Sequence, residues 1–172
     1  MMRSVSLVLL MIVVVLGGMG VWLQGPLPLD IEATWQLQRL IDPRSAWIEW
    51  LSLTAGWPMI VASTLLAGLF AASLARLPGA AALIIGVGIA MASERLARLA
   101  FYVPRPSADI VEVASASASS GLPSTFAIFH GAACGGLILL TWGTRGREAM
   151  AVRLGAAVLL LAGCIGRVAA GA

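Results

Sequence analysis

Long apolar runs, separated by short polar segments, are the feature that most constrains how this sequence can fold. Residues 5–23 contain no charged side chain, and a helix needs about 20 mostly apolar residues to cross a bilayer. Helices built on later apolar runs are predicted at residues 55–75, 77–101, 123–142 and 149–166. The sequence therefore predicts an all-α fold, a polytopic transmembrane helical bundle with five spans.

Composition predicts the same fold class. Only 11% of the residues are charged, whereas soluble domains are about a quarter charged. The chain is predicted to form one membrane-embedded domain, residues 1–172. All 11 basic residues are arginines scattered along the chain, and nucleic-acid binding, which needs a clustered basic face, is not expected. Cys134 and Cys164 lie in apolar runs, where cysteine is usually a small buried hydrophobe.

The segment of residues 24–54 mixes acids, arginines and tryptophans with apolar residues. That mixture predicts one or two short helices lying in the membrane interface, with a break at Asp42-Pro43. When the arginines considered for function are set aside, the positive-inside rule places the N-terminus in the cytoplasm. We therefore expect a bacterial inner (plasma) membrane protein whose active face is directed outward.

The first candidate for chemistry lies at the outer end of the third run, where six residues separate Arg98 from Arg105-Pro106. Pro104 and Pro106 disfavour helix for the residues that precede them, so the chain is predicted to turn extended there. A guanidinium fixed at a membrane surface is suited to bidentate contact with a phosphate. The alternative is that both arginines only reach toward the interface from a helix end.

The second candidate, Pro123-Ser124-Thr125-Phe126, opens the fourth run. With Pro123 as the first helical residue, the amides of Ser124, Thr125 and Phe126 are predicted to be unpaired. These amides, the helix dipole and the Ser124 hydroxyl would form an anion site, and the alternative is an ordinary helix start. The third candidate is Arg167, which follows the fifth run, where an arginine is most often an interfacial anchor.

Together the three segments resemble the signature of the type 2 phosphatidic acid phosphatase superfamily, which runs Lys-x6-Arg-Pro, then Pro-Ser-Gly-His, then Ser-Arg-x5-His-x3-Asp. The matching residues are Arg98 (in place of the lysine), Arg105 and Pro106 in the first part, Pro123 and Ser124 in the second, and Arg167 in the third. The resemblance covers nearly the whole chain and implies a bundle of six spans. It also implies a membrane phosphatase that hydrolyses a lipid phosphate or pyrophosphate through a phosphohistidine, without a metal or cofactor. The implied phosphate-binding residues are Arg98, Arg105, Ser124, Thr125 and Arg167.

The sequence departs from this signature at the groups that would react. Phe126 occupies the position of the histidine that serves as general acid, and Thr125 replaces the glycine before it. Ala172, the last residue, lies one position before the nucleophilic histidine that the third part would place. We expect the sequence to be a fragment of a longer parent protein. The alternative, which Phe126 favours, is a decayed and non-catalytic relative.

His130, the only histidine, lies four residues after Phe126 and on the same helical face. It would be a weak substitute for the general acid, because a displacement of one turn, roughly 5 Å, exceeds the reach of proton transfer. The alternative is a hydrogen bond between helices. The sequence therefore predicts a lipid phosphatase or, alternatively, a non-catalytic protein that binds a phosphorylated lipid headgroup. A transporter is disfavoured, since no charged or broken-helix site is predicted near mid-membrane.

Overall fold

The structure, a computed structural model, describes residues 2–27, 29–114 and 120–171. Of these residues 74% are helical and none lies in a strand, so the predicted all-α class is confirmed. The helices are α1 (Met2–Leu23), α2 (Asp30–Leu40), α3 (Ala46–Thr54), α4 (Met59–Ala100), α5 (Thr125–Leu140) and α6 (Arg147–Ala169). The first, fourth and fifth apolar runs overlap α1, α5 and α6, while the second and third overlap the two halves of α4.

Several helix boundaries differ from the predicted ones. α4 begins at Met59 rather than at residue 55, with Pro58 as its N-cap. α5 begins at Thr125, so the prediction that Pro123 is the first helical residue is wrong; the Ser124 side chain instead caps the helix by accepting a hydrogen bond from the Ala127 amide. α6 extends to Ala169, which places Arg167 inside its last turn.

α4 is a helical hairpin rather than one straight rod. The backbone leaves the helical region at Ala75 and Arg76, and Arg76 adopts a φ of 59°. A Cβ atom built on Gly68 would lie 2.8 Å from Cδ1 of Ile84, although residues 16 apart in a straight helix are separated by about 24 Å. Residues 59–74 and 77–100 are therefore antiparallel and packed side by side. The reversal lies where the sequence separates the second predicted span from the third.

Two helices of the described chain, α4 and α6, are long and apolar enough to cross a membrane. α5 and the Met11–Leu23 part of α1 are apolar but shorter. Large apolar side chains on α4 and α6 are exposed, including Leu66, Leu69, Val158 and Leu161. Extensive exposed apolar surface is unfavourable in water. These two helices therefore indicate membrane insertion, whereas the five-span topology stays a prediction.

The core is centred on α5, which packs against α4 on one side and α6 on the other. Phe126 and Phe129 of α5 are buried with Leu83 and Val87 of α4. On the α6 side, a Cβ atom on Gly163 would lie 2.4 Å from Cζ of Phe126. The absence of a side chain at Gly163 is therefore what allows the Phe126 ring to lie between α5 and α6.

α2 and α3 pack over the C-terminal end of α6. The break between them is a turn at Asp42, whose carboxylate accepts a 2.8 Å hydrogen bond from the Arg44 amide. Ile48 of α3 is buried against Ala169 and Ala170. The predicted segment of residues 24–54 thus contains two short helices, and its location in a membrane interface stays a prediction.

Candidate functional site

The chain that connects α4 to α5 brings Arg105 beside the start of α5. α4 ends at Ala100, and Phe101 is extended with a φ of −152°. The Gly121 amide donates a 2.8 Å hydrogen bond to the Val103 carbonyl. A Cβ atom on Gly121 would lie 3.4 Å from Cγ of Arg105. Arg105 and the segment that precedes α5 are therefore neighbours in the fold, as the order of the sequence motifs predicts.

Arg98, in the last turn of α4, fixes the start of α5 in place. Its Nη1 donates to the Ser120 carbonyl at 3.0 Å, and its Nη2 donates to the Pro123 carbonyl at 2.7 Å and to Thr125 Oγ1 at 3.1 Å. Its Nε forms an ion pair with Glu94. Most of the donors of this guanidinium are therefore engaged by the protein, and Arg98 holds the start of α5 against the end of α4.

Glu94 is a member of this network that the sequence motifs do not include. It is only 2% exposed, and Thr125 Oγ1 donates a 2.7 Å hydrogen bond to it. The hydroxyl of Thr125 is therefore engaged between Glu94 and Arg98. The sequence contains a signal for this pair, because oppositely charged residues four apart lie on the same face of a helix.

Arg98, Arg105 and Arg167, here called the arginine cluster, lie close enough for their charges to interact. Burial, followed by the positive charge of Arg98, lowers the pKa of Arg105, and Tyr102 opposes this shift. Arg167 is in turn repelled by the charge of Arg105. Like charges brought together in a partly buried place are unfavourable unless an anion compensates them. The structure thus assembles the three arginines of the sequence motifs.

Arg167 has a donor without a partner inside the described part of the chain. Its Nη1 donates to Ser52 Oγ at 3.3 Å, which ties the end of α6 to α3. Its Nε is buried and has no hydrogen-bond partner among the residues that the structure describes. A buried charged donor without an acceptor is costly. The end of α6 therefore has unused capacity to bind an acceptor such as a phosphate oxygen.

The N-terminus of α5 lies beside Arg98 of the arginine cluster. The first hydrogen bond of the helix joins the Ile128 amide to the Ser124 carbonyl at 3.0 Å. The amides of Thr125 and Phe126 precede that bond, so they have no acceptor within the helix. The helix dipole adds a partial positive charge at this end.

An apolar groove of about 1400 Å³ begins at Arg105 and Ser124 and lies between α1, α2 and the start of α5. Its lining includes Arg105 and Ser124 at one part, and apolar residues such as Val14, Val21 and Ile128 elsewhere. Arg98, Thr125 and Arg167 are not among its lining residues. Of the predicted phosphate-binding residues, Arg105 and Ser124 thus reach the groove directly.

Phe126 and His130 lie inside the bundle. Phe126 is 5% exposed and its ring stacks on His130 with centroids 4.0 Å apart. His130 Nδ1 lies 3.2 Å from the Phe126 carbonyl, and its Nε2 lies 3.1 Å from Thr54 Oγ1 of α3. Both ring nitrogens therefore have protein partners. This geometry is the one expected of a hydrogen bond between helices.

A loop of residues 107–114, here called the strap, covers the end of α6 near Arg167. The strap is attached to α2, because Trp35 Nε1 donates to the Ile110 carbonyl at 2.8 Å and Gln38 Nε2 donates to the Glu112 carbonyl at 2.7 Å. It is attached to the end of α6 by a 3.1 Å hydrogen bond from the Ala114 amide to the Ala170 carbonyl. No local sequence pattern predicts these contacts, since they join distant segments.

No three or more histidine, cysteine, aspartate or glutamate side chains come together as a metal site within the described ranges. No family model, curated protein or solved structure matches this sequence. The geometry and charge of the site are therefore the basis on which its function is argued.

Proposed function

We propose that this chain binds the phosphate group of a membrane lipid at the arginine cluster, with the hydrocarbon part of the lipid in the adjoining groove. The observation that carries the proposal is the buried Nε of Arg167, which has no hydrogen-bond partner among the described residues and belongs to an arginine that Arg105 repels. An anion placed there relieves the repulsion and accepts the unused hydrogen bond. Arg105 and Ser124 line the groove, so their side chains would contact the phosphate from the groove side.

The size and lining of the groove support a lipid rather than a free phosphate ester. Its volume of about 1400 Å³ exceeds the roughly 300–1000 Å³ of typical small-molecule sites. Arg105 is the one basic side chain among the described residues of its lining, which also contains Asp30, Thr34 and Ser124, while most of its other lining residues are apolar. A ligand with one charged end and a long apolar chain matches that distribution.

We place five spans in the membrane, with α4 crossing twice as the hairpin of residues 59–74 and 77–100. The exposed apolar surface of α4 and α6 supports insertion. On this topology the N-terminus is cytoplasmic and the arginine cluster lies at the outer face of a bacterial inner membrane. The lipid would then enter from the outer leaflet.

The resemblance to the type 2 phosphatidic acid phosphatases extends the proposal to hydrolysis. In that chemistry a histidine nitrogen attacks phosphorus, the lipid alcohol leaves with a proton from a general acid, and water then cleaves the phosphohistidine. The arginines would stabilise the charge on the phosphoryl oxygens. The resemblance implies a nucleophilic histidine at the sixth position after Arg167, so the phosphatase proposal applies to a protein that carries a histidine there.

One observation favours binding without turnover as the second candidate. Phe126, at the position of the general acid, cannot transfer a proton, and its ring is packed between α5 and α6 against Gly163. The structure thus uses this position for core packing. A protein of this kind would bind a phosphorylated lipid headgroup and release it unchanged.

The binding proposal is tested by the affinity of the purified chain in lipid nanodiscs for phosphatidic acid and for the matching diacylglycerol. We expect phosphatidic acid to bind and diacylglycerol, which lacks the phosphate, to bind weakly. Arg105→Gln removes charge-assisted hydrogen bonds, each worth about 1.5–3 kcal/mol, so the affinity should fall by about tenfold or more. Arg145→Gln is the matched control, because Arg145 is exposed in the α5–α6 connection. Equal losses in both variants would contradict the proposal.

The two candidate functions are separated by measuring the inorganic phosphate released from phosphatidic acid. The phosphatase proposal predicts release by a parent chain that supplies the nucleophilic histidine, and greater release after Phe126→His. The non-catalytic candidate predicts binding in every case and no release. Release by a parent chain that still carries Phe126 would show that this position does not need to donate a proton.

A further inference from the structure

The buried Nε of Arg167 does not face the groove from which a lipid phosphate would arrive. Arg105 and Ser124 line that groove, whereas Arg167 is not among its lining residues. A phosphate that enters beside Arg105 and Ser124 therefore cannot contact this nitrogen unless a neighbouring element moves. The elements that cover the end of α6 are α2, α3 and the strap, residues 107–114.

The strap is the least firmly packed of these three elements. α3 is held by the core, because Ile48 is buried against the end of α6, and α2 packs against the same cluster. In the strap, residues 107–110 and 112 are exposed, and Val111 is the one buried residue. Segments with few buried apolar contacts and exposed backbone hydrogen bonds open at a lower free energy than a packed helix does. The strap is therefore the element best able to move.

Two side chains of α2 hold the strap in its closed position. The Gln38 side-chain amide pairs with the backbone of Glu112, donating to its carbonyl at 2.7 Å and accepting from its amide at 3.3 Å. Trp35 Nε1 donates to the Ile110 carbonyl at 2.8 Å. A Cβ atom built on Gly171 would lie 2.4 Å from the Glu112 carbonyl oxygen. The closed strap therefore lies directly on the end of α6.

We propose that the strap is a gate over the arginine cluster and must move away from α2 before a lipid phosphate can contact Arg167. The inference rests on the proposed binding of a lipid phosphate and adds the step that controls it. Val111 connects the gate with the ligand, because this residue is buried and also lines the groove. A lipid in the groove thus contacts the strap, and binding that depends on the opening of such a loop is limited by the rate of opening.

A reversible cross-link between the strap and the turn that joins α2 to α3 tests the gate. The Arg44 and Glu112 side chains form an exposed ion pair at 3.5 Å, and neither residue lines the groove. In a Cys134→Ala/Cys164→Ala background, Arg44→Cys/Glu112→Cys can be linked by a short bis-methanethiosulfonate reagent and released by a reductant. The linked and released states carry the same charged side chains, including Asp109 of the strap. A difference between them therefore reports the motion of the strap and not its charge.

The probe is dioctanoyl phosphatidic acid, a dispersible lipid phosphate, passed over immobilised nanodiscs that contain the protein. Linking should slow its association at least about tenfold, because association is slow where binding requires a conformational change that is blocked; the reductant should restore the rate. The same reagent on Arg145→Cys/Glu148→Cys, two exposed positions near the start of α6, should leave the rate unchanged. Trp35→Phe removes one hydrogen bond to the strap, so it should accelerate association relative to the wild type.

Equal association rates in the linked and released states, with the probe bound in both, would overturn the gate and leave the proposed function intact. An equal loss of rate in the Arg145→Cys/Glu148→Cys control would also overturn it. Should the Arg44→Cys/Glu112→Cys variant fail to fold, Trp35→Phe decides: faster association than in the wild type supports the gate, and an equal or slower rate refutes it. Wild-type protein that binds the probe no better than dioctanoylglycerol would contradict the proposed function itself.

Discussion

Replacement of Gly163 by alanine tests whether the Phe126 ring is packed between α5 and α6. The added Cβ atom would lie 2.4 Å from Cζ and 2.6 Å from Cε1 of Phe126. Nonbonded carbon atoms essentially never approach so closely, and the ring has little room to shift because Phe126 is 5% exposed and stacked on His130. Gly163→Ala should therefore force α6 and α5 apart.

The expected magnitude combines two opposing effects. Overpacking of a core costs about 1–3 kcal/mol, whereas alanine in place of glycine inside a helix gains about 0.5–1 kcal/mol. Gly155→Ala on the same helix isolates the second effect, since nothing lies within 4 Å of a Cβ atom at Gly155. The unfolding free energy of Gly163→Ala should thus fall about 1–3 kcal/mol below that of Gly155→Ala.

The assay is reversible unfolding of both variants and wild type in the same detergent micelles, followed by tryptophan fluorescence or circular dichroism. A double-mutant cycle tests whether a clash with Phe126 causes the loss of stability in Gly163→Ala. In the Gly163→Ala background, Phe126→Leu relieves the clash, so it should cost less stability there than in the wild type. If Gly163→Ala is as stable as Gly155→Ala, and Phe126→Leu costs the same in both backgrounds, the packing described for Phe126 is refuted.

Three further substitutions have expected outcomes. Arg98→Leu leaves the carboxylate of Glu94 buried without its ion pair, so the unfolding free energy in detergent should fall by about 3–5 kcal/mol; a loss below 1 kcal/mol would contradict the network. Thr54→Val removes the hydroxyl that contacts His130 and should cost about 1–3 kcal/mol in the same unfolding assay. Trp35→Phe removes a hydrogen bond to the strap, so amide hydrogen exchange should accelerate in residues 107–114 and remain unchanged in α5.

The helical class and the positions of the helices could be predicted because their signals are local. Apolar runs mark α1, α5 and α6, and the pair Pro104 and Pro106 marks the extended chain after α4. The sequence predicts the start of α5 two residues too early, because proline at the first helical position is a common pattern. In this chain Ser124 is the N-cap, so the helix begins at Thr125, after the proline.

The candidate site could be predicted only in part. The motif arginines do come together, but their roles depend on contacts between distant segments. Arg98 is engaged by the Ser120 and Pro123 carbonyls, and these partners follow it by more than 20 residues. The pairing of Gly163 with Phe126 is likewise a matter of helix packing. The ion pair between Glu94 and Arg98 could be predicted from their spacing of four residues. That spacing is also common on exposed helices, so it does not by itself indicate a functional site.

The most direct test of the central claim is the contact between lipid phosphorus and arginine nitrogen, measured by solid-state NMR dephasing between ³¹P and ¹⁵N. The protein would be labelled with ¹⁵N-arginine and placed in neutral lipid bilayers with a small amount of phosphatidic acid. Binding at the arginine cluster predicts dephasing in the wild type, a clear reduction in Arg105→Gln, and no reduction in Arg145→Gln. Absence of dephasing in the wild type, or equal reductions in the two variants, would contradict binding of a lipid phosphate at this site.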